Sequence, residues 1–166
     1  VTGVPYVDDP TIFAWELMNE AGHRPVVERD VLISWVKEFT ELIKERDHNH
    51  LVASGMSYIS DITLWYLCNQ LPSVDFLSAH FYPRKAGFST WEAFETEVLG
   101  GAAIADVLKK PLISGEFGFE RNRIFGGYDY LAATRKFLEL AGGAGYAGTL
   151  IWVYAPTGLT TEHFGI

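Results

Sequence analysis

Residues 11–22 read TIFAWELMNEAG, an apolar run that ends on polar side chains. The apolar and aromatic first half is typical of a buried β-strand. Side chains alternate between the two faces of a strand, so Glu16, Met18 and Glu20 are expected to share one face. We interpret Glu16, one layer deeper, as a hydrogen-bonded interior carboxylate. A second carboxylate, Glu20, at the very end of such a strand indicates a functional edge.

Outward from this stretch, the chain alternates apolar runs with helical patterns. Apolar residues at helical spacing predict a helix over 30–46, and a glycine pair ends a second one over 128–143. Ser60 is placed to cap a short helix, and Ser89 with Glu92 has capping-box spacing. The predicted strands cover residues 11–17, 50–54, 74–82, 111–117 and 148–154, and the predicted helical segments cover 30–46, 60–70, 89–99 continued by 102–110, and 128–143.

This order of five strands and four helical segments predicts an α/β fold. Strict alternation implies right-handed βαβ units and a parallel sheet. Two architectures fit: an open doubly wound sheet, or part of a (β/α)8 TIM barrel, whose full length is typically about 250 residues. No glycine-rich G-x-G-x-x-G loop follows the first strand, which argues against a dinucleotide-binding domain.

The composition limits the class of partner. The chain has 166 residues, of which 48% are hydrophobic and 20% charged, so we expect one domain over residues 1–166 with a real core. A net charge of −8 argues against nucleic acid or an anionic membrane as partner, and it is compatible with a neutral sugar. The single cysteine, Cys68, excludes an intramolecular disulfide, and its apolar neighbours indicate an inert core thiol.

Polar and aromatic side chains follow the predicted strands at their carboxyl ends, where parallel α/β folds gather their chemistry. If these ends surround one barrel mouth, two carboxylates meet there, as glycoside hydrolysis requires: one protonates the leaving oxygen, and the other attacks the anomeric carbon or activates water. Without the two glutamates, a packed core would be the first interpretation of His80 and Tyr82. The side chains are Asn19 and Glu20, then His80 and Tyr82, then Glu116, and finally Trp152 and Tyr154.

The HNH triplet at residues 48–50 is a second polar feature. It has no acid or cysteine at metal-ligand spacing, so we interpret it as a turn and not as a metal site.

Four segments resemble those of one enzyme family. DDPTIFAWELMNEAG at residues 8–22 resembles the acid/base strand of clan A glycoside hydrolases, most closely family 5, and within it the endo-β-1,4-mannanases. VDFLSAHFYP at 74–83 resembles the sixth strand of that family. KPLISGEFG at 110–118 resembles its nucleophile strand, and TLIWVYA at 149–155 its eighth strand. The segments occur in the family's order over nearly the whole chain.

The resemblance implies a retaining mechanism by double displacement. Glu20 would be the general acid/base and Glu116 the nucleophile, with their carboxyl groups roughly 5 to 5.5 Å apart. Glu20 must arrive protonated, whereas Glu116 must be charged, so the two environments must differ. Two carboxylates suffice for this chemistry, so no metal or organic cofactor is expected.

The same resemblance implies the residues that bind the substrate. Asn19 would hydrogen-bond the sugar hydroxyl next to the reacting carbon, and Trp152 would form the floor under the sugar. Tyr82 would hold Glu116 in its ionised form. His80 would line the cleft near the acid/base.

The resemblance finally implies a partial barrel. Counted from the acid/base strand, the chain holds strands four to eight, and strands one to three are absent. Ala21 also stands where the family usually has proline, which we expect to alter the loop and not the chemistry. A five-strand arc leaves open sheet edges and an exposed apolar interior. We therefore expect the chain to be a segment of a longer protein, or to pair with the missing barrel half or with a second copy.

The expected substrate is a β-1,4-linked polysaccharide or oligosaccharide, mannan first and glucan second. Two alternatives stay open: a transglycosylase with the same residues, and a non-catalytic carbohydrate-binding remnant. We expect a secreted or extracellular protein, although no signal peptide is visible in the sequence.

Overall fold

The structure is a computed structural model that describes residues 3–22, 27–83, 86–121 and 123–153. Five strands and four α-helices alternate along these residues, which confirms the predicted order. The chain divides into two compact units, Val1–Ser78 and Ala79–Ile166. The elements are a short 3₁₀ helix at Tyr6–Asp8, β1 Ala14–Glu16, α1 Arg29–Arg46, β2 Leu51–Ala53, α2 Ile62–Asn69, β3 Leu77–Phe81, α3 Trp91–Leu108, β4 Leu112–Phe117, α4 Tyr130–Gly143 and β5 Gly148–Ile151.

The first unit is built on the parallel pair of β1 and β2. Its core takes one face of each helix and the middle of β2, and Val36, Val52, Trp65 and Cys68 are fully buried. Burial raises the pKa of the Cys68 thiol to about 12. The thiol therefore stays protonated and inert at neutral pH, in agreement with the core assignment.

The second unit begins within β3, and the sheet there has the order β3–β4–β5, in which β4 and β5 run parallel. Its core is aromatic. The rings of Phe117 and Phe137 stack at 4.5 Å between centroids, and Phe137 also contacts Phe81 and Phe94. This packing ties α3 and α4 to the sheet and so fixes the carboxyl ends of β3 and β4.

Two predicted helix caps are wrong by one residue. Asp61, not Ser60, caps α2, because its carboxylate accepts the backbone N–H of Leu64. Thr90, not Ser89, caps α3, where its hydroxyl accepts the backbone N–H of Ala93. In both cases the next residue along the chain also has a capping side chain, and the backbone geometry of the helix start decides between them.

Glu16, interpreted from the sequence as an interior carboxylate, is exposed in this chain. Among the described residues, β1 has a neighbouring strand on one side only, and its side chains keep access to solvent. No α-helix in the described part of the chain is long and apolar enough to cross a membrane.

Candidate functional site

In the first unit, the chain after β1 forms a turn at residues 18–20, here called the acid turn. Before it, the backbone N–H of Leu17 donates to Ala53 O at 3.4 Å; after it, the N–H of Ala21 donates to Gly55 O at 3.0 Å. The turn is therefore closed at both ends by the chain that continues β2. Asn19 is exposed and Glu20 is half-buried.

Glu20 has a backbone φ of 53°, in the left-handed region that non-glycine residues rarely adopt. The regular strand has already ended at Glu16. Strict alternation of side chains therefore ends at Glu16 and does not set the direction of the Glu20 side chain. Unusual backbone at a strand end is typical of functional sites, where the surrounding structure holds it in place.

In the second unit, the structure brings together three of the predicted site residues. The Tyr82 hydroxyl donates to Glu116 Oε2 at 2.6 Å. His80 Nδ1 lies 3.5 Å from the same oxygen. The side chains of His80 and Glu116 are 13% and 17% exposed, so the pair is sheltered yet still reachable from solvent. Among the described residues, both contacts to the Glu116 carboxylate are made to Oε2.

The strand that carries Glu116 contains an irregularity that the sequence reading missed. Ser114 pairs with Thr149 and Phe117 with Ile151, so β4 has one more residue than β5 between these two pairs. Such a bulge bends the strand and redirects side chains, and bulges are frequent beside active sites. The signal was Gly115, since an isolated glycine inside a strand pattern is typical of a bulge.

Trp152 follows β5 directly, and a backbone hydrogen bond fixes its position. The N–H of Trp152 donates to Phe117 O at 2.8 Å, one residue beyond Glu116. The residue is 38% exposed, and the peptide bond to Val153 is cis. Tyr154, at the end of the predicted strand, lies outside the described residues.

The HNH triplet forms a bend between α1 and β2, and its His50 makes a buried hydrogen bond with Asp47 that was not predicted from the sequence. His50 Nδ1 lies 2.7 Å from Asp47 Oδ2, and the Trp15 indole N–H donates to the same oxygen at 2.6 Å. The hydrogen bond with Asp47 raises the pKa of His50 above its ordinary value. Burial alone would raise the pKa of Asp47, but the hydrogen bonds from Trp15 and His50 outweigh it and hold that pKa well below its ordinary value.

A sequence profile for the glycoside hydrolase family 5 β-mannosidase-like family matches residues 1–157. Mannan endo-1,4-β-mannosidase 1 of Arabidopsis thaliana is 33% identical over 148 residues, which cover 71% of this chain and 35% of that protein. Mannan endo-1,4-β-mannosidase 2 of the same plant is 31% identical over an alignment 205 residues long. This alignment covers 100% of this chain and 46% of that protein.

The chain is also similar to solved structures of mannanases. The endo-β-1,4-mannanase of Thermotoga petrophila superposes with a TM-score of 0.84 at 26% identity, over 99% of this chain and 42% of that one. The endo-1,4-β-mannanase of Rhizomucor miehei superposes with a TM-score of 0.77 at 29% identity, over 99% of this chain and 51% of that one. The neighbours are TIM-barrel enzymes, and this chain, with its parallel strands, spans about half of their length or less.

Proposed function

Because this chain belongs to the glycoside hydrolase family 5 β-mannosidase-like family, we propose that it supplies the two catalytic glutamates of an enzyme that cleaves β-1,4-linked mannan with retention. The observation that carries the proposal is the short hydrogen bond from Tyr82 to Glu116. A short hydrogen bond to one carboxylate oxygen fixes the orientation of the carboxylate group, which a nucleophile directed at one carbon atom must have. The mannan-cleaving activity in the names of the plant relatives supports mannan ahead of glucan.

In the first proposed step, Glu116 attacks the anomeric carbon while Glu20 gives its proton to the glycosidic oxygen. The bond to the leaving sugar breaks, and a covalent glycosyl ester forms on Glu116. We assign the attack to Oε1, because the described contacts from Tyr82 and His80 both engage Oε2.

In the second step, Glu20 is a carboxylate and takes a proton from a water molecule. The water oxygen attacks the same carbon, and the ester bond to Glu116 breaks. Two inversions at one carbon give net retention. The mechanism requires the two carboxyl groups to lie roughly 5 to 5.5 Å apart, which remains a prediction.

Three further residues are proposed to bind the sugar. The amide of exposed Asn19 can donate to a sugar hydroxyl, and the partly exposed Trp152 ring offers an apolar face to a pyranose. His80, next to Glu116, is proposed to line the cleft near the acid/base. The anchoring of Trp152 to the residue after Glu116 supports a common location for the ring and the nucleophile.

The proposed catalytic domain is a TIM barrel of which this chain forms strands four to eight. Among the described residues, β1 and β5 are outer strands of their sheets, with Phe13 and Leu150 more than half exposed beside or within them. We propose that the missing barrel half of the same protein, or a second copy of the chain, covers these strands. Size-exclusion chromatography of the chain alone is expected to show self-association or aggregation, and a well-behaved monomer would contradict this part of the proposal.

Labelling with a 2-deoxy-2-fluoro-β-mannosyl fluoride tests the mechanism. The fluorine slows the second step more than the first, so a retaining enzyme accumulates its glycosyl ester. Peptide mass spectrometry is expected to find the sugar on the peptide that contains Glu116. Glu116→Gln should stay unlabelled, whereas Gly145→Ala, a change after α4, should label like the wild type. A label on another carboxylate, or a mannan-cleaving protein that inverts configuration, would reject the proposal.

Two alternative functions, a transglycosylase and a non-catalytic remnant, predict different experimental results. A transglycosylase would transfer the sugar to an oligosaccharide acceptor, so mannopentaose would give products longer than itself. A non-catalytic remnant would bind mannan and cleave none, even when supplied with an N-terminal barrel half. A secreted or extracellular location is proposed together with the substrate, since mannan is a polymer too large to cross a membrane.

A further inference from the structure

The acid turn rests directly on Gly55, two residues beyond β2. Gly55 is buried, with a backbone φ of 68°. A Cβ atom built at this position would lie 1.8 Å from the carbonyl oxygen of Met18 and 2.9 Å from its carbonyl carbon. Both of these are backbone atoms, which cannot move aside by a rotamer change. Any side chain at position 55 must therefore displace the first residue of the acid turn.

The same glycine also holds the far end of the turn. Its carbonyl accepts the N–H of Ala21 at 3.0 Å, and Ala21 O in turn accepts the N–H of Ser57 at 2.8 Å. The chain from Met18 to Ala21 is thus held at one end by contact with Gly55 and at the other by hydrogen bonds to Gly55 and Ser57. Glu20 lies between these fixed points with its left-handed φ of 53°, a conformation that persists only when its surroundings enforce it.

We propose that Gly55 is a positioning residue for Glu20: by leaving space for the Met18 backbone, it sets the place from which Glu20 transfers its proton. This inference rests on the proposed role of Glu20 as general acid/base. A general acid must be within hydrogen-bond reach of the leaving oxygen, and a shift of about 1 Å can cost roughly 100-fold in rate. A Cβ at 1.8 Å from an oxygen requires a shift of at least that size.

Buried hydrogen bonds link the segment that carries Gly55 to α2. The Ser54 hydroxyl donates to Asn69 Oδ1 at 3.0 Å and accepts the N–H of Met56 at 3.4 Å. Asn69 Nδ2 donates to Trp65 O at 2.9 Å, within the same helix. Ser54→Ala therefore loosens the segment that carries Gly55 without adding any atom to it, and it provides a milder variant of the same perturbation.

The test compares two substrates that differ in their need for a proton. Mannopentaose has a basic leaving group and needs the general acid, whereas an aryl mannobioside with a 2,4-dinitrophenolate leaving group does not. For Gly55→Ala we expect kcat/KM to fall about 100-fold or more on mannopentaose and only a few-fold on the aryl substrate. Azide, which attacks the glycosyl ester without base assistance, should raise kcat on the aryl mannobioside and give a mannobiosyl azide.

The matched control is Gly145→Ala. Gly145 has a similar left-handed φ of 85°, but a Cβ there would meet no atom within 4 Å. This variant carries the same backbone penalty and should leave the ratio of the two kcat/KM values unchanged. Glu20→Ala is the reference variant and should show the same substrate dependence and azide response as Gly55→Ala, in a more pronounced form.

The outcomes distinguish failure of the role of Gly55 from failure of the proposed function. If Glu20→Ala shows the substrate dependence and folded Gly55→Ala loses both activities equally or neither, Gly55 does not position the acid and the proposed function still stands. If Glu20→Ala itself shows no substrate dependence, the proposed function fails and this inference with it. Should Gly55→Ala fail to fold, Ser54→Ala gives the answer: a ratio lowered roughly 2- to 10-fold, as for one lost hydrogen bond, supports the proposal, and an unchanged ratio overturns it.

Discussion

The two units each contain a histidine–carboxylate pair, and the two pairs are built differently. In the first unit, His50 Nδ1 and Asp47 Oδ2 are 2.7 Å apart, and the two side chains are 5% and 3% exposed. In the second, His80 Nδ1 and Glu116 Oε2 are 3.5 Å apart, and the exposed fractions are 13% and 17%. The first pair lies just before a strand begins, and the second lies where two strands end.

Their hydrogen bonds explain the difference. Both oxygens of Asp47 are used: Oδ1 accepts the backbone N–H groups of Asn49 and His50, and Oδ2 accepts the Trp15 indole. The other nitrogen of His50 lies 3.0 Å from the carbonyl oxygen of Asp9. A pair saturated in this way ties the segment before β1 to the turn between α1 and β2. A histidine beside a carboxylate is therefore structural when both groups are fully hydrogen-bonded and buried.

The largest expected effect comes from Glu116→Gln in the second pair. Loss of the nucleophile should lower kcat on mannopentaose more than about 10⁴-fold, because no ester can form. Binding of mannopentaose, measured by calorimetry, should change little, since Gln has the same size. Asp47→Asn in the first pair is the matched amide exchange and should retain turnover at temperatures where it is folded. Undiminished turnover in Glu116→Gln would remove the basis for treating the two pairs differently.

The next effect concerns stability and belongs to the first pair. Asp47→Ala leaves the Trp15 indole, His50 and two backbone N–H groups without their acceptor in a buried place. We expect the melting temperature to fall by several degrees or more, measured by circular dichroism. Asp8→Ala, at an exposed aspartate of the same unit, is the control and should melt close to the wild type. Equal melting temperatures for both variants would mean that this pair does not anchor the unit.

A smaller effect on activity is expected from Tyr82→Phe. The change removes the hydroxyl that donates to Glu116 Oε2 and nothing else. A hydrogen bond to a charged group corresponds to roughly 10- to 100-fold in rate, so kcat should fall by that factor with KM nearly unchanged. Tyr130→Phe is the control, because the buried Tyr130 hydroxyl has no hydrogen-bond partner among the described residues. If both variants keep full activity, the contact that carries the proposed function is not catalytic.

The smallest effect is the pH dependence of stability that the first pair contributes. The pKa of His50 is raised, so its contribution is complete below about pH 6.5 and is lost as pH rises through the folded-state pKa. The pKa of Asp47 is lowered, so its contribution is present above about pH 4 and is lost on acidification. Urea midpoints between pH 5 and 9 should therefore decline on the alkaline side.

A matched pair of histidine variants tests whether His50 causes the decline of the urea midpoint at alkaline pH. His50→Gln should flatten it, because no ionisable ring remains beside Asp47. His48→Gln, at an exposed histidine two residues away, should keep it. A decline that persists unchanged in His50→Gln would show that another group is responsible.

Several features of the site could be anticipated from the sequence, and others could not. The alternation of strands and helices follows from hydrophobic periodicity, which is a local property, and all the predicted elements are present among the described residues. The bulge beside Glu116 depends on how β4 pairs with β5, although Gly115 marks its place. The sequence predicted Ser60 as the cap of α2, but the structure has Asp61 there, because only backbone geometry distinguishes these neighbouring candidates.

What the amino-acid sequence determined by itself is the order of the elements, the family, and the polar residues that end the strands. Periodicity and motif spacing are written along the chain, so no contact between distant residues is needed to read them. Only the tertiary structure decided that Tyr82 and His80 meet one oxygen of Glu116, that His50 is saturated by Asp47, and that Gly55 supports the acid turn. These are contacts between backbone and side-chain atoms brought together by packing, and their distances depend on the whole unit around them.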